Sequence, residues 1–371
     1  MSGAFAFTLL TLVLRTLGDD HKVIDADGDG LPDDNRWFGM ENLEVIDIFN
    51  ETGDIKTFKL KRANGKPIPP YAPGQFLSFE IPNEEKVFRS YSVSGSPENH
   101  NYLQISIKKI KDGIGSNWFH SLKVGDTVKA HPPSGLFTDK DLDSNTHRVL
   151  VGGGVGITPL ASIMRAAVDR GDKYPITLFF AARTHADLAF HEQFIDMQKR
   201  HSNITYVPVL SDEEGDDWQG RTGYVGIDVI KEYVSDLTSA KYFFCGPAPL
   251  TDSVTKALME NGVDEDSLHS EEFISPTSIS EEDLPKTEAV LTFDGVDHKY
   301  SGKKNILEFF ESQEVDIPFA CRSGVCGACK VKCKSGEVLS LTDSGLSKQE
   351  KKDGYILTCV SWPKEKLELE S

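Results

Sequence analysis

The sequence predicts three folded domains in series: an antiparallel β-barrel at residues 39–145, a doubly wound parallel-sheet α/β domain at 146–274 and a smaller C-terminal domain at 287–371. Three observations predict this order. The chain has 371 residues, and at about 150 residues per domain that length corresponds to two or three domains. The pattern of apolar residues changes from alternating to continuous near Thr146. A polar stretch with two prolines at 275–286 has the composition of a linker.

The barrel prediction rests on short segments in which apolar and polar residues alternate. Turns rich in Gly, Pro and Asn separate them. Several short strands of this kind are typical of an antiparallel barrel. The segments are 43–48, 57–60, 75–81 and 102–108.

The second domain is predicted from continuous apolar runs that alternate with helical segments. Buried strands between helices are typical of a parallel, doubly wound sheet. The apolar runs are 148–152, 176–181, 205–210 and 241–245, and the clearest helical segments are 160–170 and 188–200. In the third domain we expect a strand at 289–293 and a helix near 305–313.

Charge and hydropathy exclude several classes of protein. The chain carries 40 basic and 58 acidic residues, a net charge of −18. Such a surface repels phosphate backbones and anionic lipid headgroups, so we expect neither nucleic acid nor a membrane as partner. The apolar run Ala4–Leu14 has eleven residues, too few to span a bilayer. No basic segment precedes it, as a secretory signal requires, so we expect a cytoplasmic protein.

Residues 1–38 form an acidic extension without a hydrophobic period that could build a core. Within it, Asp25, Asp27, Asp29 and Gly30 match the first half of an EF-hand calcium loop. The twelfth position is Arg36 instead of the bidentate glutamate. We therefore favour a solvated acidic arm over a calcium site.

Four cysteines of the third domain have the spacing of a metal site. Cys321, Cys326 and Cys329 stand in the order C-x4-C-x2-C, and Cys359 follows 29 intervening residues later. This is the ligand spacing of plant-type [2Fe–2S] clusters. A zinc site would show paired C-x2-C motifs, and four buried structural cysteines are the other alternative. Cys333 lies on the following strand, where alternation predicts a buried apolar position, so we exclude it from the ligands.

Residues Arg89–Ser92 follow a strand-like segment and combine a phosphate-binding arginine, an aromatic ring and hydroxyls. By itself this is an ordinary strand end. About twenty residues later, Gly113, Gly115 and Ser116 start a helical segment whose N–H groups could face a pyrophosphate.

Residues Val149–Pro159 read as a strand, a glycine loop and a helix start. Thr158 has the chemistry of an N-cap and Pro159 that of the first helical residue, so helix N–H groups should face an anion at the loop. The order G-x-G-x-x-P differs from the G-x-G-x-x-G fingerprint, so we do not predict an ordinary dinucleotide dehydrogenase. A tight turn without ligand is the alternative. Cys245 ends a later strand at the edge where open sheets bind ligands, or is a core cysteine.

Together with His269–Phe273, these motifs resemble the ferredoxin–NADP reductase superfamily. The closer resemblance is to the reductase components of Rieske non-haem iron oxygenases, which carry a fused C-terminal plant-type ferredoxin. The likeness covers residues from about 40 to 371 in the same domain order. It implies a flavin-binding β-barrel, a nicotinamide-binding domain and a β-grasp ferredoxin domain.

The resemblance also implies the cofactors: FAD, with FMN as the alternative, NADH, with NADPH as the alternative, and a [2Fe–2S] cluster. It implies that Arg89 binds a flavin phosphate, Tyr91 packs on the isoalloxazine, Ser92 bonds near flavin N5 and Phe273 covers the other ring face. No separate catalytic side chain is expected. The cofactor-binding residues so implied are Arg89, Ser90, Tyr91, Ser92, Gly113, Gly115, Ser116, Gly154, Gly156, Thr158, Arg183, Arg221, Cys245, Gly246, Pro247 and Phe273.

The expected function follows from electron counting. A nicotinamide gives two electrons as a hydride whereas a [2Fe–2S] cluster accepts one at a time, so a flavin must stand between them. The expected acceptor is the terminal component of a Rieske oxygenase of monooxygenase or demethylase type. The alternatives are another one-electron acceptor, such as a cytochrome P450 or a hybrid-cluster protein, and a non-enzymatic iron–sulfur module. The intact Arg89, Tyr91 and Ser92 argue against the last of these.

Overall fold

A computed structural model of the chain describes residues 35–83, 87–212, 218–273, 284 and 287–371. Phe38–Ser371 forms one compact unit. Three predicted features lie outside the described residues: the apolar run at 4–14, the EF-hand match at 25–33 and the linker at 275–286 apart from Leu284.

The first domain is an antiparallel sheet of six strands. The strands are β1 (Glu41–Asn50), β2 (Ile55–Arg62), β3 (Phe76–Ile81), β4 (Val87–Ser92), β5 (Leu103–Lys108) and β6 (Thr127–Ala130). They lie in the order β4-β3-β6-β1-β2-β5, and a bridge between Val93 and Ile105 closes the sheet into a barrel. Phe119 of helix α1 (Ile114–Ser121) fills the interior with its ring edge against Phe58 and Phe79. The four predicted alternating segments correspond to β1, β2, β3 and β5, and only Gln75 and Tyr102 lie outside the observed strands.

The second domain is a parallel sheet of six strands with helices between them. Its strands are β7 (Arg148–Gly153), β8 (Ile176–Ala182), β9 (Ile204–Leu210), β10 (Arg221–Thr222), β11 (Lys241–Cys245) and β12 (Leu268–Glu271). Its helices are α2 (Ile157–Arg170), α3 (His191–Arg200), α4 (Ile227–Tyr233) and α5 (Ala248–Glu260). The strand order is β10-β9-β8-β7-β11-β12. The direction of winding reverses between β7 and β11, where open sheets of this type bind ligands.

The doubly wound fold is confirmed, and two helix boundaries differ from expectation. Helix α2 begins at Ile157 rather than at 160. Helix α3 begins at His191 rather than at 188, because Phe190 adopts a left-handed φ of 62° that no helix continues through.

Helix α2 fastens the second domain to the barrel through buried polar groups. Ser162 Oγ donates a hydrogen bond of 2.7 Å to the carbonyl of Gly95. The Arg165 guanidinium donates to the carbonyl of Ser94 and, at 2.6 Å, to Gln193 Oε1. Burial lowers the pKa of Arg165 to about 10, so the guanidinium stays charged at neutral pH. Both barrel carbonyls are thus held by one helix of the neighbouring domain.

The third domain is a five-stranded mixed sheet with a two-stranded sheet beside it. Its strands are β13 (Thr287–Phe293), β14 (Val296–Gly302), β15 (Lys330–Ser335), β16 (Val338–Ser340), β17 (Tyr355–Leu357), β18 (Ser361–Pro363) and β19 (Leu367–Glu370). Its helices are α6 (Ile306–Ser312) and α7 (Lys348–Lys352). The order β14-β13-β19-β15-β17, with β13 and β19 parallel, is that of a β-grasp fold. Asn305 caps α6 in a reciprocal capping box with Glu308. Within the described part of the chain, no helix has the length and apolar character needed to cross a membrane.

Candidate functional site

A cavity of about 450 Å³ opens where the three domains meet. Its volume lies in the range of ~300–1,000 Å³ that small-molecule sites occupy. The barrel lines it with β4 and the start of α1, the second domain with Val155, Thr158, Glu271, Glu272 and Phe273, and the third with Ser323 and Val325. We call this space the first cavity.

The motif Arg89–Ser92 lies within strand β4, not after a strand as the sequence predicted. All four residues line the first cavity. Burial lowers the pKa of Arg89 and raises the pKa of Tyr91, whose ring meets Phe119 edge-on at 5.2 Å. The Arg89 side chain is therefore partly desolvated at the cavity wall, where its Nη1 donates 2.7 Å to the Phe88 carbonyl. Charged donors make strong hydrogen bonds to anions.

The start of helix α1 packs directly against this motif. A Cβ on Gly115 would lie 2.7 Å from the Tyr91 hydroxyl and 2.8 Å from Arg89 Cγ, so only glycine fits. Ser116 Oγ accepts a hydrogen bond from the Ile110 N–H at 3.1 Å and donates one to the Gly113 carbonyl at 3.2 Å. This hydroxyl is thus used within the loop. The N–H groups at the helix start are the donors that a pyrophosphate would meet beside Arg89.

Glu271, at the end of β12, is a cavity residue that the sequence reasoning missed. Ser92 Oγ donates a hydrogen bond of 3.1 Å to Glu271 Oε2 and so joins the barrel to the second domain. Desolvation raises the pKa of Glu271 to about 8, and the bond from Ser92 opposes this shift only in part. Glu271 belongs to the motif 269–273, in which the family resemblance implied a cofactor-binding role for Phe273 alone. Phe273 lines the first cavity with 51% of its surface exposed, and its role as a ring cover stays a prediction.

The raised pKa predicts how stability depends on pH. Because the pKa rises from 4.5 to about 8 on folding, the protonated carboxyl of Glu271 stabilises the fold. That contribution is fully present below pH 4.5 and is lost as the pH rises towards 8. The melting temperature of Glu271→Gln minus that of wild type should therefore be larger at pH 8 than at pH 5. The expected increase is ~4 °C, which corresponds to ~2 kcal/mol. Glu272→Gln is the control at an exposed neighbour. The assignment would be contradicted if the difference in melting temperature between wild type and Glu271→Gln were the same at pH 5 and pH 8.

A second cavity, of about 550 Å³, lies at the carboxyl ends of the parallel strands around the point where the winding reverses. Its walls come mainly from the loops after β7, β8 and β11, and from Tyr224. Asp54 and Lys108 of the barrel complete it. Lys108 lines both cavities and pairs with Asp54 at 3.2 Å. This barrel lysine, which borders both cavities, was not predicted from the sequence.

The glycine loop after β7 forms the wall between the two cavities. Gly154, with a left-handed φ of 55°, lines the second cavity, whereas Val155 and Thr158 line the first. A Cβ on Gly156 would lie 2.1 Å from the Cys245 carbonyl oxygen. The prediction of Thr158 as N-cap is wrong: Gly156 occupies the cap position, and Thr158 Oγ1 donates 3.0 Å to the Val155 carbonyl. The close approach of the loop to β11 fixes where the helix begins.

Arg183 and Arg221, two of the cofactor-binding residues that the family resemblance implies, differ in position. Arg183 lines the second cavity with a mostly exposed side chain, and its Nε lies 3.8 Å from Asp187 Oδ2. Asp187 also lines the cavity and accepts bonds from the Thr184 N–H and hydroxyl. Arg221 does not line either cavity; its guanidinium pairs with Glu232 and the Tyr233 hydroxyl on α4.

The loop after β11 divides its residues between core and cavity. The Cys245 side chain is fully buried in the hydrophobic core, and burial raises its pKa, with the Glu271 charge adding to the shift. Gly246 packs on the Gly153 backbone, and Pro247 lines the second cavity. The core-cysteine alternative therefore describes the Cys245 thiol, while its backbone shapes the glycine loop.

The four predicted cluster ligands come together at the edge of the third domain. The thiols of Cys326 and Cys359 lie close enough to Cys321 to lower the pKa of its thiol, and the thiol of Cys359 lowers the pKa of Cys329. Cys321, Cys329 and Cys359 are buried, and Cys326 is partly exposed. Among the described residues, no three His, Cys, Asp or Glu side chains form a site for a single ion. Four converging thiols instead fit a [2Fe–2S] cluster, in which each iron takes two thiolates.

The cluster loop is shaped by backbone that only small residues allow. Gly324 and Gly327 have φ values of 76° and 73°, and a Cβ on Gly327 would lie 2.6 Å from the Gly345 carbonyl. The Ser323 N–H donates to Cys321 Sγ at 3.4 Å and the Ala328 N–H to Cys326 Sγ at 3.5 Å. Cys333 differs from its prediction: it is only partly buried, because its thiol turns to the carbonyls of Ser335 and Gly336 near a bulge in β15.

A barrel with a phosphate-binding motif, a doubly wound domain with a nucleotide crevice and a four-thiol loop define an NAD(P)H-dependent oxidoreductase with FAD and a [2Fe–2S] cluster. Family profiles agree: an oxidoreductase FAD-binding domain matches residues 42–138, an oxidoreductase NAD-binding domain 150–256 and a 2Fe-2S iron-sulfur cluster binding domain 291–364. The chain belongs to the family of reductase components of oxygenase systems.

Two relatives and one solved structure illustrate the membership. The glycine betaine monooxygenase reductase subunit of Chromohalobacter salexigens is 31% identical over 353 residues, covering 90% of this chain and 95% of the relative. The ferredoxin reductase component of 3-ketosteroid-9-alpha-monooxygenase from Rhodococcus rhodochrous is 30% identical over 79% of this chain and 85% of its own length. The structure of phthalate dioxygenase reductase superposes with a TM-score of 0.61 at 26% identity, covering 90% of this chain and 98% of that one.

Proposed function

We propose that this chain carries electrons from NADH through FAD and its [2Fe–2S] cluster to a terminal Rieske-type oxygenase of monooxygenase or demethylase type. One observation carries the proposal: the first cavity is lined by the barrel motif, the nucleotide domain and the cluster loop together. An electron carrier in that cavity has a nucleotide crevice on one side and the thiol loop on another. The names of the relatives support an oxygenase as the acceptor.

FAD supplies the conversion of a two-electron hydride into single electrons. Arg89 and the N-terminus of α1 would hold its phosphates, and Tyr91 would pack on its ring. The wall at Gly154–Thr158 separates the two cavities and limits how the nicotinamide approaches. Ser92 and Glu271 hold a proton within the first cavity, and Phe273 shields the cavity mouth from water.

The cluster loop supports electron acceptance through its backbone. The N–H groups of Ser323 and Ala328 point at two of the ligand sulfurs. Such bonds stabilise negative charge on thiolates and make a cluster easier to reduce. Thr358 Oγ1 donates 2.9 Å to the Cys329 carbonyl and ties the distant fourth ligand, Cys359, to the loop.

The electron route is tested by removing the third domain. A chain ending at Pro276 should keep FAD and reduce ferricyanide with NADH at close to the full-length rate. It should lose NADH–cytochrome c reduction, because that step needs the cluster. The full-length chain is the control. Loss of flavin from the shortened chain would mean that the predicted boundary at 275–286 is misplaced, and retained cytochrome c reduction would exclude a route through the cluster.

The alternative acceptors, a cytochrome P450 or a hybrid-cluster protein, use the same chemistry within this chain. Capturing the acceptor with the full-length reductase distinguishes these alternatives from a Rieske oxygenase. A captured Rieske non-haem iron subunit that hydroxylates or demethylates its substrate with NADH supports the proposal. A captured haem protein that this chain reduces overturns it in favour of the alternative.

The second cavity predicts a preference for NADH. Asp187 lines it with a carboxylate held by Thr184, which suits a ribose 2′-hydroxyl and repels a 2′-phosphate. Arg183, the arginine of the implied cofactor-binding set that lines this cavity, is itself turned to Asp187. Steady-state kinetics should therefore give a higher kcat/KM for NADH than for NADPH. A preference for NADPH of about tenfold would show that Arg183 binds the 2′-phosphate instead.

A further inference from the structure

An aromatic contact joins the third domain to the barrel beside the cysteine loop. The ring of Phe319 meets Phe88 edge-on at 6.3 Å and His131 at 6.4 Å between centroids. Phe88 belongs to β4 and His131 directly follows β6, so both rings belong to the barrel. Phe319 stands two residues before the ligand Cys321. The domain contact and the cluster loop are therefore parts of one short segment.

Arg322, the residue after Cys321, spans this contact. Its guanidinium carbon lies 4.0 Å from the ring centroid of Phe319 and 5.5 Å from that of Phe88. Its Nη1 donates 2.9 Å to Glu311 Oε2, and its Nη2 pairs with the other oxygen of the same carboxylate. Glu311 lies in α6. One side chain thus connects the rigid helix of its own domain, the cluster loop and the barrel.

The backbone of Arg322 adopts a conformation that a turn alone would assign to glycine. Its φ of 52° lies in the left-handed region, which is uncommon for residues with a side chain. Its Nε is buried with no partner among the described residues. Strained and desolvated groups persist where the surroundings hold them in place. The contacts of the side chain with the rings and with Glu311, rather than the backbone turn, therefore explain why an arginine stands at this position.

We infer that Arg322 is a positioning residue for electron transfer, which holds the cluster loop against the flavin cavity. The next residues of the loop, Ser323 and Val325, line that cavity. The inference deepens the proposed function and rests on its flavin-to-cluster step. That step moves one electron from reduced FAD to one ferric iron, which becomes ferrous. Only the electron crosses the contact, and a proton released when the flavin is oxidised would leave into the first cavity.

The test follows both cofactors of the full-length holoenzyme after anaerobic mixing with NADH in a stopped-flow spectrometer. In Arg322→Ala, cluster bleaching should slow by about tenfold, because the docked state loses a partly buried cation–π contact and its ion pair. Flavin bleaching in the same traces gives the internal reference. Arg322→Lys keeps the charge without the planar stacking and should slow by about threefold. Arg200→Ala, which removes an exposed arginine–aspartate pair on α3, is the matched control.

A redox titration of the cluster in each variant separates positioning from tuning. An unchanged midpoint potential with slow cluster reduction supports the inference. A potential shift that accounts for the slower rate overturns it, as does a wild-type rate in Arg322→Ala. If Arg322→Ala fails to hold its cluster, Phe319→Leu decides, since it leaves residues 321–329 intact: slow cluster bleaching supports the inference, and a wild-type rate overturns it. No acceptor protein is present, so a failure to couple to an oxygenase would not affect this result.

Discussion

Cys359→Ser should abolish or severely distort the visible charge-transfer spectrum of the holoenzyme. Each iron of a [2Fe–2S] cluster takes two thiolates, and Cys359 is the one ligand outside the loop 321–329. Cys321→Ser, Cys326→Ser and Cys329→Ser should have the same effect. Absorption and low-temperature EPR spectra of the purified variants, with iron and sulfide counts, provide the measurement.

Two other cysteines serve as matched controls for the ligand assignment. Cys333→Ser replaces a partly buried thiol on the strand that follows the loop, and Cys245→Ser replaces a core thiol of the second domain. Both variants should keep the full cluster spectrum, although Cys245→Ser buries a hydroxyl in the core and should lower stability. A normal spectrum in Cys359→Ser, or a lost one in Cys333→Ser, would require a different ligand set.

Gly156→Ala should cripple the reaction with NADH while leaving the cluster in place. The added Cβ would lie 2.1 Å from the Cys245 carbonyl oxygen and 2.7 Å from the Gly246 nitrogen, both backbone atoms that cannot turn aside. The loop must therefore move, and this loop is the wall between the two cavities. Overpacking of this kind costs ~1–3 kcal/mol, so we expect kcat/KM for NADH to fall by about tenfold or more.

Gly226→Ala is the matched control for that substitution. It lies in the same domain at the start of α4, with an ordinary backbone conformation and open space around its added Cβ. Its kcat/KM should stay within about twofold of wild type, since the added Cβ meets no neighbour; the loss of a glycine N-cap should only lower stability somewhat. Equal activities of Gly156→Ala and wild type would show that the glycine loop tolerates displacement and does not set the nucleotide geometry.

Periodicity and spacing were sufficient for the domain classes and for the thiol cluster. Alternating strands in the barrel and continuous apolar strands after Thr146 each reflect burial on one face or on both, which a single sequence displays. The cysteine spacing works for the same reason: three ligands share one loop, so local sequence carries most of the geometry. The prediction that Cys333 is buried failed because a bulge in β15 interrupts the alternation of buried and exposed side chains at this position.

The errors at the site came from contacts between segments far apart in sequence. Thr158 has good N-cap chemistry, yet the backbone of Cys245 holds Gly156 in the cap position. Glu271 gains its role from Ser92, 179 residues earlier. No local pattern records such partners, and only the folded chain brings them together.

The bonds from Ser162 and Arg165 to the Gly95 and Ser94 carbonyls also bear on how the molecule comes apart. If the barrel and the nucleotide domain separated, both bonds would be exchanged for bonds to water, which costs ~0.5–1.5 kcal/mol for a neutral donor and ~1.5–3 kcal/mol for a charged one such as Arg165. A hinge motion that opens this domain interface therefore costs free energy, and exchange of cofactors by separation of the two domains is disfavoured. The two domains should instead melt as a single cooperative unit, with nicotinamide exchange left to the loops around the crevice.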